Sequence, residues 1–538
     1  MSRRKEVGFE TIVVDNARAM GRPRRLRQRL PTLRGSVGCT GSPYSQTTNE
    51  ELMLPSPLES TVGPGDMVLF GQGESNPPVE PQFALGSHGV ATVGDGLSVQ
   101  AASGPVGIVW LLGDVWNPFA PKQTAAEVLV EVVRKCSTRE ELDAEFEKLT
   151  GRYVVLLSAQ SLWVRGDACG LLEIFYGRSE RPGGIVANQP GLVALLLGSV
   201  TAEDAGSAEH GWLPGRLTGH EGVQQLEPNH WLEVSTGECV RAWPTRRRVE
   251  PSYDESVRWV AEYLRGSARA ALLRHDQVAV ALTAGVDSRT CWCAFSAVHP
   301  AVQTFTLRYD WLTSDDPDVA VPEQLLKSLG GLDSYHVINA GDIRAGAHAF
   351  QRKFGERAVL VNSNLLEIGR CFYPFPRQWF SPALHVAYEG MKGSSGEDVE
   401  LCRILADLVR LERRYGWDRR DLFYWEQRMG HWAASSWRGD FVGKINIFNS
   451  VSLFERVLAV SPKYRRGDPG LFFADVMEEL RPGATSIPFN PVGTSMQKRV
   501  VRILKDLPGS GHARALGLNA RGAAKLWRNR LGQGSLIS

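Results

Sequence analysis

A chain of 538 residues, 43% of them hydrophobic, can bury an ample core, and its length by itself suggests about three or four domains. Lys plus Arg (61) nearly balances Asp plus Glu (59), which removes any charge-based reason to expect a nucleic acid partner. The eight cysteines (39, 136, 169, 239, 291, 293, 371 and 402) form no CxxC pair, so the usual zinc and redox spacings are excluded and reduced thiols in a cytoplasmic protein are expected. Residues 1–60 carry an arginine cluster (Arg22, Arg24, Arg25, Arg27, Arg29, Arg34) and then a stretch rich in Gly, Ser, Thr and Pro, which reads as a mobile basic arm. Its basic start lacks the continuous apolar core of a signal peptide. From 65 to 245 short strands are expected, at 106–112, 153–158, 161–165 and 231–234, with clear helices only at 125–135 and 139–149. The apolar run at 192–200 is too short to span a membrane.

From 246 the pattern changes. Val257, Val260, Leu264, Ala268, Ala271 and Leu272 recur at three and four, as on a packed helix. An apolar strand at 278–282, a helix to about 299, a strand at 302–307, a helix to Leu329 capped by Asp318, and a strand at 334–339 follow. This alternation predicts a parallel sheet. Residues 398–480 read as largely helical, with Leu401, Leu405, Leu408 and Leu411 on one face and tryptophans at 417, 425, 432 and 437. The cluster Ser394-Ser395-Gly396-Glu397-Asp398 reads as the start of that helix. A basic tail occupies 506–538.

The most informative residues are Thr283-Ala284-Gly285-Val286-Asp287-Ser288, which join the strand at 278–282 to a helix. Ala284 and Gly285 are small enough for backbone N–H groups to approach phosphate oxygens, and the helix that follows turns its positive end toward them. Thr283 and Ser288 add hydroxyl donors, and Asp287 is suited to magnesium, which takes one or two carboxylates beside the phosphates. No Lys lies in this turn, so it is not a Walker-type loop. It resembles the Ser-Gly-Gly-x-Asp-Ser loop of the adenine nucleotide alpha hydrolase superfamily, which cuts ATP between its alpha and beta phosphates. Thr283 keeps the hydroxyl of the first position. Ala284 replaces a glycine, where a positive φ would crowd its methyl.

Two further segments extend the likeness. Arg165-Gly166-Asp167-Ala168-Cys169-Gly170-Leu171-Leu172-Glu173-Ile174-Phe175-Tyr176 resembles Ala-Arg-Asp-Arg-Phe-Gly-Ile-Lys-Pro-Leu-Tyr-Tyr of the asparagine synthetase family, with Asp167, Gly170 and Tyr176 retained. Gly222-Val223-Gln224-Gln225-Leu226-Glu227-Pro228-Asn229-His230 is similar to that family's Gly-Val-x-x-Leu-Pro-Pro-Gly-His. The resemblance covers roughly residues 100–490. It implies an α/β protein: an N-terminal Ntn-hydrolase-like α+β sandwich (65–245), then a parallel-sheet PP-loop synthetase domain with a helical C-terminal portion (246–505).

The resemblance also implies the site. Class II glutaminases use a cysteine at the mature amino terminus, whereas Ser2 follows Met1 here and the first cysteine is Cys39. The Asn-Gly-Glu oxyanion segment falls on Leu112-Gly113-Asp114, without its amide. A silent glutaminase half is therefore expected. Thr283, Ala284, Gly285, Asp287 and Ser288 are expected to bind the ATP phosphates, Leu307 to read adenine through its backbone, and Asp287 with Glu367 to hold Mg2+. Glu367 and Gly369 are what remains of the acidic motif Ser-Gly-Asp-Gly-Gly-Asp-Glu-Leu-Phe-Gly-Gly, and Arg428 matches an arginine lining the cleft. The lysine that steadies adenylation is replaced by Gly483, with Lys498 or Arg481 as substitutes. The activity implied is AMP-forming amide ligation or cyclisation, joining a small-molecule or peptide carboxylate to an amine, as in beta-lactam synthetases and lasso-peptide macrolactam cyclases. Ammonia-dependent amidation, a tRNA lysidine synthase or thiolase, and a non-catalytic ATP-binding scaffold are the alternatives. No membrane partner is expected, and a homodimer is compatible with the sequence.

Overall fold

The computed structural model describes residues 12–13, 66–71, 82–85, 87–94, 96–178, 184–199, 213–341, 343–373, 381, 397–435, 443–467 and 469–491. The arginine cluster, Cys39, residues 394–396, Trp437, Lys498 and the 506–538 tail lie outside them.

The first half holds two antiparallel sheets. One has seven strands, in the order Ile12–Val13, Val99–Gly104, Gly107–Trp116, Thr150–Ser158, Leu162–Gly166, His230–Glu233, Cys239–Arg241. The other has six, in the order Val223–Gln225, Phe175–Arg178, Gly184–Ala187, Met67–Gly71, Gly89–Val93, Phe83–Ala84. Side chains alternate across each strand with a period of two. On Gly107–Trp116, Trp110 and Leu112 therefore enter the core between the sheets, while Val109, Leu111 and Val115 face outward. Helices Ala125–Lys135 and Arg139–Phe146 cover that outer face with Val128, Leu129, Val132 and Leu142. Each begins with a Thr–Glu capping box, Thr124 with Glu127 and Thr138 with Glu141. On the far side, Val68, Phe70, Ile185 and Ala187 pack against a third helix, Pro190–Leu197. The layers run helix, sheet, sheet, helix, the Ntn-hydrolase-like arrangement.

Helix Pro190–Leu197 corrects the expectation of only two helices in this region. Its apolar residues show no helical period, but two end signals were present: Pro190 in the first turn and Gly198 as a left-handed C-cap with φ 64°.

The second half is built on a five-stranded sheet, in the order Tyr335–Gly341, Gln303–Tyr309, Val278–Ala281, Val359–Val361, Lys444–Ile445, and every pairing is parallel. From the central Val278–Ala281 the chain builds two strands outward on one side and then returns to build Val359–Val361 on the other. The order thus reverses between Val278–Ala281 and Val359–Val361, and the crevice beyond their carboxyl ends is where open parallel sheets bind ligands. The helix Pro317–Leu329 differs from expectation at its cap. Asp316 accepts the N–H of Asp318, freeing the Asp318 side chain for another partner.

Helix Glu397–Tyr415 buries Leu401, Ile404, Leu408 and Leu411. The two halves share one apolar core: Trp116, Ala168, Cys169 and Leu171 of the sandwich pack with Trp243, Tyr263, Trp417 and Trp425. The Trp243 ring centroid lies 5.1 Å from that of Trp417 and 4.8 Å from that of Trp425. The seven described cysteines are free thiols. Among the described residues no helix is long and apolar enough to cross a membrane.

Candidate functional site

The loop leaves strand Val278–Ala281 and enters helix Val286–Ser296 with Gly285 at the N-cap, where no side chain caps the helix. Ala284 is fully buried and does not adopt a positive φ, so the crowding expected of its methyl does not arise. The loop closes on itself. The Thr283 N–H donates to Ser288 Oγ (3.0 Å), the two hydroxyls lie 2.9 Å apart, and the Gly285 N–H donates to Thr283 Oγ1 (3.2 Å). Ala284 N–H donates to Asp318 Oδ1 (3.2 Å), and Ala284 O accepts from Asn490 N–H (3.1 Å). A side chain expected to cap a helix is thus part of the loop.

Across the crevice, strand Val359–Val361 leads into a 3-10 helix, Asn364–Arg370. It packs against helix Val286–Ser296, helix Val451–Ala459 and the π-type helix Tyr424–Ala433. Arg370 Nη1 lies 2.9 Å from Asp287 Oδ2, and both side chains are largely buried, at 20% and 16% exposure. Glu367, three residues earlier and so on the same face of a 3-10 helix, accepts the Tyr424 hydroxyl at 2.5 Å. Burial first, and then the Glu367 carboxylate, hold the Tyr424 phenol well above its ordinary range, so it stays a donor at neutral pH. Gly369 has a packing role: a Cβ there would meet Val457 Cγ1 at 2.4 Å and Phe473 Cζ at 2.9 Å.

The other expected residues separate. Arg428 stacks on Trp432, its guanidinium carbon 4.4 Å from the ring centroid, beside Tyr424. Its neighbours Glu426 and His431 face the sandwich instead, bonded to Arg241 (2.6 Å) and Gln225 (2.8 Å). Leu307 lies beyond the carboxyl end of Val278–Ala281, its side chain toward Gly346 and its backbone in register with Ile338. Arg481 donates to Leu329 O (2.5 Å), at the end of helix Pro317–Leu329. Gly483 sits at φ 85° with a Cβ position 3.0 Å from Leu329 Cδ2, so a lysine fits poorly there. Arg289, fully buried, is bonded to the carbonyls of Ala484, Ile487 and Pro488.

In the sandwich, Leu112 is fully buried between the sheets. Gly113, at φ 99°, allows Arg152 O to approach within 2.3 Å of where a Cβ would stand. Asp167 is likewise structural. It accepts from the N–H groups of Tyr153, Cys169, Leu171 and Leu172 and from Asn449 Nδ2 (2.8 Å), tying the sandwich to the second half. Asn229 adopts φ 63° where the family segment has glycine, a conformation Asn tolerates better than most residues.

No family model matches the chain, and no curated protein matches it in sequence. Two solved structures show a remote likeness. They are the allosteric regulatory enzyme of purine biosynthesis (TM-score 0.22, 11% identity) and the glutamine phosphoribosylpyrophosphate amidotransferase from B. subtilis complexed with ADP and GMP (TM-score 0.21, 12% identity). The match covers 49% of this chain and 64% of each of those. A likeness that slight carries no argument about activity.

A polyphosphate would meet the loop N–H groups only if Thr283, Ala284 and Gly285 gave up their present acceptors, and magnesium would meet Asp287 only if Arg370 left it. Among the described residues no three His, Cys, Asp or Glu side chains stand together as a metal cage. Magnesium does not need one, since it keeps waters and shares phosphate oxygens. Asp287 supplies the carboxylate, but Arg370 must release it. A separate cavity of about 750 Å³, lined by His275, Gln277, Gln303 and Lys353, lies at the opposite, amino ends of the strands. Open parallel sheets do not bind their ligands there.

Proposed function

We propose that this chain is an ATP-dependent, AMP-forming amide ligase or cyclase without glutaminase activity. One observation carries the reading: the Thr283–Ser288 loop and the Asn364–Arg370 turn face each other across the reversal point of a parallel sheet, joined by Asp287 and Arg370. The loop amides and the hydroxyls of Thr283 and Ser288, exchanging their internal bonds for phosphate oxygens, would hold the beta and gamma phosphates, with Leu307 beside the adenine. Asp287, assisted by Glu367, would hold magnesium, which when bound draws charge from the departing pyrophosphate. A substrate carboxylate oxygen bonds to the alpha phosphorus as the bond to the bridging oxygen breaks, releasing pyrophosphate and leaving an acyl adenylate. The amine nitrogen then bonds to the acyl carbon, the acyl–phosphate bond breaks, and AMP leaves while the amine loses a proton. Arg428, which neighbours the Tyr424 that binds Glu367, would orient the carboxylate. With Leu112 where an amide donor is needed, the amine comes free or from the same molecule rather than from glutamine.

Mass spectrometry of candidate carboxylates and amines incubated with ATP and magnesium tests this. Wild type should form AMP, pyrophosphate and an amide together, and Asp287→Ala should lose about 100-fold or more. Absence of nucleotide binding by the wild-type chain overturns the reading, and binding without release of AMP or pyrophosphate favours the non-catalytic scaffold. Turnover triggered only by tRNA favours the lysidine synthase or thiolase class.

A further inference from the structure

Resting on the reading above, we infer that Arg370 is the polyphosphate-binding cation of this site: paired with Asp287 here, it transfers to phosphate oxygens when a nucleoside triphosphate enters and so releases Asp287 to magnesium. Among the described residues, two other cations near the loop are committed elsewhere. Arg289 holds three carbonyls of the 484–488 segment, Arg481 holds Leu329 O, and Gly483 offers no side chain. Arg370 instead meets the first turn of the helix that opens the loop, 2.9 Å from Asp287.

Its backbone is fixed for this role. The carbonyl of the preceding residue, Gly369, accepts from Arg465 Nη1 (2.9 Å), and buried Arg465 is itself bonded to Asp421 (2.7 Å). The following residue, Cys371, takes a left-handed conformation (φ 51°) that turns the chain away at once. The guanidinium is therefore presented from a rigid end. Guanidinium matches both groups through paired N–H donors and stays charged at every accessible pH. An exchange of Asp287 for phosphate keeps it paired throughout, whereas a lysine arriving on a flexible arm has no such resting partner.

The exchange predicts opposite effects on two ligands. Calorimetry with the full chain uses α,β-methylene ATP plus magnesium, a probe that cannot be cut at the reacting bond. Manganese alone, followed by electron paramagnetic resonance, reports on Asp287 without nucleotide. Arg370→Ala should weaken the nucleotide about tenfold to hundredfold. It should also tighten manganese, because Asp287 loses its competitor. Arg370→Lys should recover part of the nucleotide affinity, and Arg370→Gln should behave as the alanine variant. Melting curves identify any variant that fails to fold, and the lysine and glutamine variants then decide. Unchanged or tighter nucleotide binding in folded Arg370→Ala or Arg370→Gln overturns the inference and leaves Arg370 as a plug over Asp287. In that case wild type still binds nucleotide and the functional reading stands. No binding by wild type overturns both.

Discussion

The crevice of the parallel sheet and the inter-sheet core of the sandwich were both expected to descend from catalytic sites, and they differ in polarity. At the crevice the polar groups are paired: Thr283 with Ser288, Asp287 with Arg370, Asp318 with the Ala284 N–H, and Glu367 with the Tyr424 hydroxyl. In the sandwich, the position where an oxyanion donor would stand holds Leu112, buried among Trp110, Val154 and Leu156. A polar site that loses its ligand keeps a desolvation penalty for every unpaired group. Replacement by apolar side chains removes the penalty and converts a site into core. Retention of paired polar groups at the crevice is what a working site requires, and a fully apolar filling is what an abandoned one tends toward.

The largest effect that tests this contrast comes from Leu112→Asn. Returning an amide to a fully buried position between the sheets should destabilise the protein by about 2–4 kcal/mol in urea unfolding, without creating glutamine hydrolysis. A variant as stable as wild type that releases ammonia from glutamine would erase the contrast.

Next in size is a pH effect at Glu147, where the sandwich meets Arg246 and Glu455 of the second half. Burial pushes the Glu147 carboxyl from about 4.5 up to about 7, against the opposing pull of Arg165. The folded state therefore holds that proton longer than the unfolded chain does. The resulting stability is present below about pH 4.5 and is lost as pH rises through about 7, a change of at most about 3 kcal/mol. Glu147→Gln, which cannot titrate, should flatten this slope when unfolding free energies are compared at pH 5 and pH 8. Identical slopes in the two proteins would show that Glu147 titrates normally.

The smallest effect is at the loop. Ala284 is buried without a positive φ, so Ala284→Gly should cost about 1 kcal/mol through greater freedom of the unfolded chain, with nucleotide affinity unchanged. A gain of about tenfold in affinity would mean that the methyl obstructs phosphate after all.

Much of the architecture was legible because periodicity is local. The three-and-four spacing of Val257, Val260, Leu264 and Ala268 gave helix Tyr253–Arg274, and the alternation around Gly285 gave the parallel sheet. The Pro190–Leu197 helix was missed because its apolar residues have no period to read, and the cap of Pro317–Leu329 because two aspartates flank one proline. Of the candidate site residues, Asp287 pairs with Arg370 and Glu367 with Tyr424, while Arg428 stacks on Trp432 of its own helix and Gly369 answers to packing.

The sequence alone determined that an apolar strand ends in small residues, two hydroxyls and a carboxylate, and that this turn opens a helix inside a βαβ repeat. Only the tertiary structure decided which charges meet there. Arg370 reaches Asp287 across 83 positions, and Asp318 reaches Ala284 across 34. Such pairs depend on strand order and on where the chain reverses direction across the sheet, whereas spacing along the chain reports only what lies within a turn or two of helix or a few residues of strand.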